Sequence, residues 1–329
     1  MPVRFLIIRF SSIGDIVLTT PVIRCLKQQV EGAEVHYLTK KQFVSLLDKN
    51  PYIDKLHLLE DNLNELLLNL ENENFDYIID LHNNLRSSIV KRKLRIISFS
   101  FNKLNLKKWL LVNFKINRMP HLHIVDRYME TLKVFDVKND NLGLDYFIPE
   151  DDIVDVSEIS PALKKGYVVI VLGANHKTKQ IPNEKIIEVA NGLSYPVILI
   201  GGPDDTARGN EIASRCKNVY NVAGNYYFNQ SASVMEQSEM VITPDTGMMH
   251  IAAALKKNII SVWGNTVPEF GMFPYQPGEN SEIFEVKGLS CRPCSKLGFE
   301  KCPKKHFRCM LDHDTGEIIG KAKSILASG

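Results

Sequence analysis

Val3-Arg4-Phe5-Leu6-Ile7-Ile8-Arg9-Phe10-Ser11-Ser12-Ile13-Gly14-Asp15, continuing through Ile16 to Gln28, is the stretch on which the fold class turns. Residues 3–10 are β-branched and aromatic, and residues 15–28 carry an amphipathic helical pattern, with Ser11 to Gly14 as the turn between them. Strand, tight turn and helix in that order open a parallel sheet. Runs at 34–38, 76–81 and 94–99 read as further buried strands, separated by helical patterns such as 41–49. The second half repeats the theme, with strands expected at 167–172, 197–200, 240–243 and 258–262. Alternating strands and helices predict an α/β chain with two open parallel sheets. Between the halves, residues 149–161 are acidic and weakly patterned, as an exposed linker is. Two Rossmann-like domains are therefore expected, at 1–155 and 156–310, facing across a cleft lined by the turns that follow strands.

Bulk properties agree with that layout. At 329 residues the chain exceeds the usual size of a single core. Its 44% hydrophobic and 24% charged residues place it among globular proteins and exclude a disordered or fibrous class. A net charge of +2 gives no global field for nucleic acid, so electrostatic partners must be sought in local patches. The N-terminal apolar run is short and interrupted by Arg4 and Arg9, unlike a secretory signal, and no apolar run approaches the roughly 18 residues of a membrane span. A cytoplasmic protein is expected, one that touches the inner face of the inner membrane at most.

The chemistry is sought in the turns. Backbone N–H groups at the start of a helix lack intrahelical partners, so the turn ending in Asp15 is suited to meet an anion or a hydroxyl. Ser11, Ser12 and Gly14 keep it small and polar, and are read as acceptor-binding. Asp15 is a candidate general base toward an attacking hydroxyl, the alternative being a simple helix cap. The glycines do not form Gly-x-Gly-x-x-Gly, which removes the main support for a dehydrogenase.

In the second half, Val241-Ile242-Thr243-Pro244-Asp245-Thr246-Gly247-Met248-Met249-His250 is a strand ending in a polar turn that opens a helix. Asp245 is expected to cap that helix, Thr246 and Gly247 to offer N–H groups to a diphosphate, and His250 to lie one turn along the same face. The alternative is an ordinary capped helix with a core histidine. In the turn Gly173 to Pro182, Thr178 and Lys179 are candidate donor and point charge for diphosphate oxygens, with solvated loop lysines as the alternative. The turn Gly201-Gly202-Pro203-Asp204-Asp205 offers a carboxylate, Asp205, to ribose hydroxyls.

Residues 7–21, ending Gly14-Asp15-Ile16-Val17-Leu18-Thr19-Thr20-Pro21, together with Asp245-Thr246-Gly247-x-x-His250, resemble glycosyltransferase family 9, the heptosyltransferases of lipopolysaccharide core assembly. The resemblance extends to about Met310 and includes Asp80-Leu81-His82-Asn83-Asn84-Leu85-Arg86-Ser87. It implies a GT-B fold, an acceptor held by the N-terminal half and an ADP-heptose donor held by the C-terminal half. It further implies an inverting, metal-independent displacement with Asp15 as base, and Thr178, Lys179, Asp205, Asp245, Thr246, Gly247 and His250 at the donor, without a cofactor. In proteins of that fold a final helix, here residues 311–329, often crosses back to the first domain. Ile181 stands where relatives commonly carry an aromatic, which leaves the donor sugar open. Two other readings remain: a transferase using a different nucleotide sugar, and a catalytically silent nucleotide-sugar or lipid-binding partner in envelope assembly.

Residues 86–118 carry Arg86, Lys91, Arg92, Lys93, Arg95, Lys103, Lys107, Lys108, Lys115 and Arg118 and not one acid. Arg86, Lys91, Arg92 and Lys93 are read as acceptor-binding. Trp109, Leu110, Leu111 and Phe114 add an apolar edge suited to a membrane interface. A solvated surface helix is the alternative, and no nucleic-acid module accompanies the charge. Cys291, Cys294, Cys302 and Cys309, with His306 among them, have a spacing that permits zinc, against which stand buried free thiols. Cys25 and Cys216 read as core. The pair Asp312 and Asp314 is read as loop and helix cap rather than as a cation site.

Overall fold

In the computed structural model, which describes residues 2–328, the chain forms two compact units. Among the described residues, the first comprises 2–104 and 122–147, the second 105–121 and 148–328. In chain order the elements are β1 (Val3–Ile8), α1 (Ile13–Val17), α2 (Thr20–Gln29), β2 (Ala33–Lys40), β3 (Lys55–Leu59), α3 (Leu63–Glu71), β4 (Tyr77–Asp80), α4 (Leu85–Leu94), β5 (Ile97–Ser100), α5 (Asn105–Phe114) and α6 (Ile124–Met129). They continue with α7 (Val156–Ile159), β6 (Val168–Val171), α8 (Asn183–Gly192), β7 (Val197–Ile200), α9 (Thr206–Ser214), β8 (Val219–Asn221), α10 (Phe228–Glu236), β9 (Met240–Pro244), α11 (Gly247–Ala254), β10 (Asn258–Trp263), β11 (Glu282–Glu285), α12 (Arg308–Leu311) and α13 (Thr315–Ser328).

Each unit is built on one parallel sheet. The first has the order β3-β2-β1-β4-β5, the second β11-β10-β9-β6-β7-β8. Parallel strands covered by helices on both faces read as continuous apolar runs, and Phe5 to Ile8, Val168 to Val171 and Val197 to Ile200 are accordingly sealed. In each sheet the order reverses beside the first strand, between β1 and β4 and between β6 and β9. Ligands of open α/β sheets bind outside the carboxyl ends of strands at this switch point, so four turns matter: those after β1, β4, β6 and β9.

Several expectations are corrected. The helix expected over 15–28 is two helices, because a proline interior to a helix collides with the carbonyl four residues back. Pro21 therefore starts a new helix, and Thr19 and Thr20 turn their hydroxyls onto the carbonyls of Ile16 (2.6 Å) and Val17 (2.8 Å). The helix expected over 41–49 is a 3-10 stretch. The strand expected over 94–99 is β5, an edge strand whose Ile97 is exposed, not a buried one. Residues 149–161 form short helical turns rather than a patternless linker. Residues 105–121, placed by sequence in the first domain, belong to the second unit. The terminal helix α13, expected to cross back, also lies in the second unit, where it packs on α8 and puts Ile318, Ala322 and Ile325 into the core around β6, β7 and β9. β3, β8 and β11 are short and half exposed, and their patterns are too brief to be read from sequence.

Candidate active site

The turn after β1 delivers Asp15 on the five-residue helix α1. Its carboxylate is held from two sides. Oδ1 lies 2.7 Å from Nη2 of Arg9, and Oδ2 accepts from the Ser12 hydroxyl at 2.8 Å, with the Ser12 N–H at 3.4 Å. The cap reading is thus partly realised, but the main partner of Asp15 is Arg9. Arg9 ends an apolar strand and is buried, donating to the carbonyls of Ser11 (2.7 Å) and Leu81 (2.5 Å) and to the Tyr128 hydroxyl (3.1 Å). Burial opposes its charge, and Asp15 together with Tyr128 and Tyr37 outweighs it, so the net shift is upward. Sequence reasoning missed Arg9, although a lone arginine closing the run from Phe5 to Ile8 was a visible signal. Ser11 contributes its carbonyl to Arg9, and Gly14 is buried in the first turn of α1.

Across the switch point, the turn after β4 is clamped by Asp80. One carboxylate oxygen accepts from the N–H groups of His82 (3.0 Å) and Asn83 (2.6 Å), and the other pairs with Lys91 at 2.8 Å. His82 stands edge-on to Phe10, with ring centroids 5.3 Å apart. Burial, then Arg9 and Lys103, push its ionisation down to about 4, so it is neutral near pH 7. His82 was part of a quoted motif but was given no role by sequence.

The basic residues of α4 separate. Lys91 is taken by Asp80 and Ser100, and Lys93 pairs with Glu71 at 3.0 Å, so both act within the fold as ion-pair partners. The run lacks acids in sequence, but tertiary packing supplies them from β4 and α3. Arg86 and Arg92 are exposed. Arg86 lines a groove of 660 Å³ with Lys40, Lys41, Glu60 and Asp61 beside the carboxyl ends of β2 and β3.

In the second unit, the turns after β6 and β9 meet in an ion pair. The Lys179 ammonium lies 2.6 Å from Asp245 Oδ2, both largely buried, and that carboxylate also accepts from the Thr266 hydroxyl at 2.7 Å. Asp245 is therefore not the helix cap expected of it. Thr246 is the N-cap residue of α11, Gly247 begins the helix, and His250 is buried one turn in. A helix N-terminus and an ammonium then flank one point, which suits an anion.

Two other expected donor residues are committed elsewhere. The Thr178 hydroxyl donates to the Phe299 carbonyl (2.9 Å) and accepts from its N–H (2.8 Å), which holds the 299 loop and leaves it no donor for a diphosphate. Asp205 is buried and folds back onto its own turn, accepting from the Gly202 N–H at 3.1 Å. A side chain at Gly201 or Gly173 would collide with that carboxylate, at 2.8 and 2.6 Å, and would have to push it off the Gly202 N–H. Arg208 supports the Lys179 turn, donating to the carbonyls of Leu172 (3.0 Å) and Ile181 and to Asn183 (2.6 Å). Arg292 does the same for the Thr266 loop, at 2.9 Å from the Thr266 carbonyl and 2.7 Å from that of Gly264.

Among the described residues, one group brings three possible metal-ligand atoms within 4.8 Å of one another: His36, His57 and Glu73. The imidazoles are nearly coplanar (21°), with Nδ1 of His36 2.9 Å from Nε2 of His57 and centroids 5.1 Å apart. Rings meeting end to end in this way aim the N–H of one at the lone pair of the other, the geometry of an N–H···N bond rather than of two ligands sharing an apex. The four clustered cysteines do not reach that proximity. Cys291 Sγ lies 3.7 Å from His306 Nε2. Burial, followed by the neighbouring thiols, raises Cys294 and pushes Cys309 up to about 12, so both are thiols at neutral pH. Asp314 caps α13, accepting from Gly316 N–H at 2.7 Å, and Asp312 pairs with Arg308 at 2.7 Å, as loop and cap.

Known proteins share this fold. Lipopolysaccharide heptosyltransferase 3 of Escherichia coli (strain K12) is 28% identical over 275 residues, which cover 77% of this chain and 80% of that protein. The structure of a family 9 glycosyltransferase from Veillonella parvula DSM 2008 matches with a TM-score of 0.80 at 21% identity, over 99% of this chain and 98% of that one. An E. coli heptosyltransferase solved with ADP matches with a TM-score of 0.70 at 18% identity, over 98% and 99% of the two chains. The two parallel sheets are thus those of the GT-B fold. The model of glycosyltransferase family 9 (heptosyltransferase) matches residues 64–302, a stretch that includes the turns of His82, Lys179 and Asp245. More than half of the chain lies within that match, and the chain belongs to glycosyltransferase family 9.

Proposed function

We propose that the chain transfers a heptose from ADP-heptose to the inner core of lipopolysaccharide, an anionic lipid-linked acceptor. The observation that carries this reading is the Lys179–Asp245 pair at the mouth of α11. A lysine has three N–H donors; one meets Asp245, and two are left for diphosphate oxygens next to a helix N-terminus. Both interactions strengthen as the departing diphosphate gains charge, so they favour the transition state over the bound sugar nucleotide. The E. coli relative solved with ADP supports the choice of nucleotide.

The reaction is written as one in-line displacement with inversion. The acceptor hydroxyl oxygen forms a bond to the anomeric carbon, the bond from that carbon to the diphosphate oxygen breaks, and the hydroxyl proton passes to Asp15. Arg9 holds the Asp15 carboxylate in place through Oδ1, and Ser12 orients Oδ2. No step calls for a metal ion.

A peripheral membrane contact fits the acceptor. Among the described residues no helix is long and apolar enough to cross a membrane. Helix α5 and the residues after it expose Leu106, Trp109, Phe114 and Ile116 among Lys107, Lys115 and Arg118. Aromatic and aliphatic side chains between cations suit the interface of an anionic leaflet.

The reading is tested by incubating purified protein with truncated lipopolysaccharide and ADP-heptose, UDP-sugars or GDP-sugars, and measuring the mass of the acceptor. A heptose-sized gain with ADP-heptose alone is expected. Gain with another donor only would replace the substrate, and no gain with any donor alongside ADP binding would favour a silent partner. Asp15→Asn is expected to lower turnover by roughly 10² to 10⁴ while donor affinity stays within about twofold. Undiminished turnover would remove Asp15 from its role.

A further inference from the structure

His82 has an environment that the proposed reaction does not yet use. It stands at the carboxyl end of β4, on the opposite side of the switch point from the Asp15 turn, where an open parallel sheet receives its ligand. Its position is fixed by the backbone, through the two N–H bonds to Asp80, and by the edge-on contact with Phe10. The imidazole itself contributes no hydrogen bond to that fixation. Its Nδ1 is buried and has no hydrogen-bond partner, whereas the other ring nitrogen is not sealed in. Leaving a buried polar atom unmatched is costly, and such atoms are rare enough in native structures that each needs a reason.

The charges around the ring indicate the reason. Arg9 from the end of β1, Lys103 from the segment after β5, Asp15 from α1 and Asp80 from β4 are the charged groups that act on it. The two cations and the burial together keep the ring uncharged. A charged imidazolium beside Asp15 would be a second cation competing with Arg9 for the carboxylate, and would weaken Asp15 as a proton acceptor. A neutral imidazole instead offers one donor and one acceptor. With Nδ1 sealed in, Nε2 is the nitrogen that meets a ligand, and a sugar hydroxyl, donor and acceptor at once, matches it in either tautomer, whereas a phosphate or carboxylate finds its better partner in a cation.

We propose that His82 is an acceptor-positioning residue, a neutral imidazole that hydrogen-bonds a hydroxyl of the acceptor saccharide and thereby holds the attacking hydroxyl against Asp15. The proposal rests on the reading of Asp15 as the base. It assigns His82 to the acceptor and not to the donor, since the donor elements are those of the second sheet.

Two substitutions separate this role from simple packing. His82→Phe keeps a ring against Phe10 and removes hydrogen bonding, whereas His82→Gln keeps hydrogen bonding and removes the ring. Acceptor KM and donor KM are measured with truncated lipopolysaccharide and ADP-heptose, and acceptor binding is measured directly by titration calorimetry. His82→Phe is expected to weaken acceptor KM and binding about tenfold, with donor KM within about twofold. His82→Gln is expected to recover most of that loss, with an unchanged pH profile between about pH 6 and 8, because the wild-type ring does not titrate there. The reverse pattern, Phe tolerated and Gln damaging, would overturn the proposal in favour of packing, as would equal losses for donor and acceptor. Repeating the calorimetry in an Asp15→Asn background distinguishes the two readings. A His82→Phe loss that persists there, with turnover undiminished by Asp15→Asn, would retain the acceptor contact and discard the base. Unaltered acceptor binding in His82→Phe, with Asp15→Asn inactive, would discard the contact and retain the base.

Discussion

A single ammonium connects two turns that are distant in sequence. Lys179 ends a short helical turn after β6 and meets Asp245 after β9, and Thr266 after β10 fixes the shared carboxylate. The pair is largely buried, so neither partner is a loose surface charge whose contribution would be small. Lys179→Ala removes the cation proposed to face a diphosphate and leaves Asp245 without its ammonium partner. A charge-assisted hydrogen bond contributes about 2 kcal/mol, so ADP affinity measured by calorimetry should fall roughly thirtyfold. An unchanged affinity would mean that the pair serves the fold alone. Thr178, the preceding residue, teaches the opposite lesson, because the same turn that aims Lys179 at Asp245 commits its neighbour's hydroxyl to Phe299.

Elements position these residues through their breaks as much as through their bodies. Pro21 splits what would have been one long helix, and the short first piece is what carries Asp15 at its N-terminal turn. The edge strand β3 is tied to β2 by the end-to-end pair of His36 and His57, which Glu34 and Glu73 flank. Burial, with His36, lowers His57 to about 4 from an ordinary value of 6.5. The folded state then binds fewer protons than the unfolded chain between those two values. Stability is full above about pH 6.5 and is lost as the pH falls toward 4, by up to about 3 kcal/mol. His82 adds to the same slope. Thermal unfolding followed across that range should show the decline, and His57→Gln should flatten part of it. A slope identical in the variant would mean that other groups carry the acid sensitivity.

At the scale of the molecule, each unit repeats one rule: a parallel sheet whose order reverses beside its first strand, with the candidate site residues in the two turns at that reversal. The second unit also depends on a late element. Ile318, Ala322 and Ile325 of α13 are buried in its core, and Ile319 packs on Gly192 of α8. Ending the chain after Leu311 would remove about 4 kcal/mol of apolar burial and uncover α8 and β10. The truncated protein should melt earlier by differential scanning calorimetry, with the lost stability confined to the second unit. Melting like the full chain would show that α13 is peripheral to that core.

The sequence by itself determined the fold class and most of the sheet. Buried parallel strands are continuous apolar runs, and their signal survives without knowledge of neighbours, as at residues 197–200, which form β7 as expected. It also singled out Asp15, Lys179 and Asp245 as candidates, because turns that open helices advertise themselves in small and acidic residues. What only the tertiary structure decided was partnership. That Asp245 pairs with Lys179 instead of capping α11, and that Lys91 and Lys93 are neutralised by Asp80 and Glu71, depend on residues that the sequence separates and the fold brings together. Arg9 and His82 became legible for the same reason. Periodicity reports which side of an element faces inward, whereas hydrogen bonds and ion pairs depend on which residues the sheet order brings side by side.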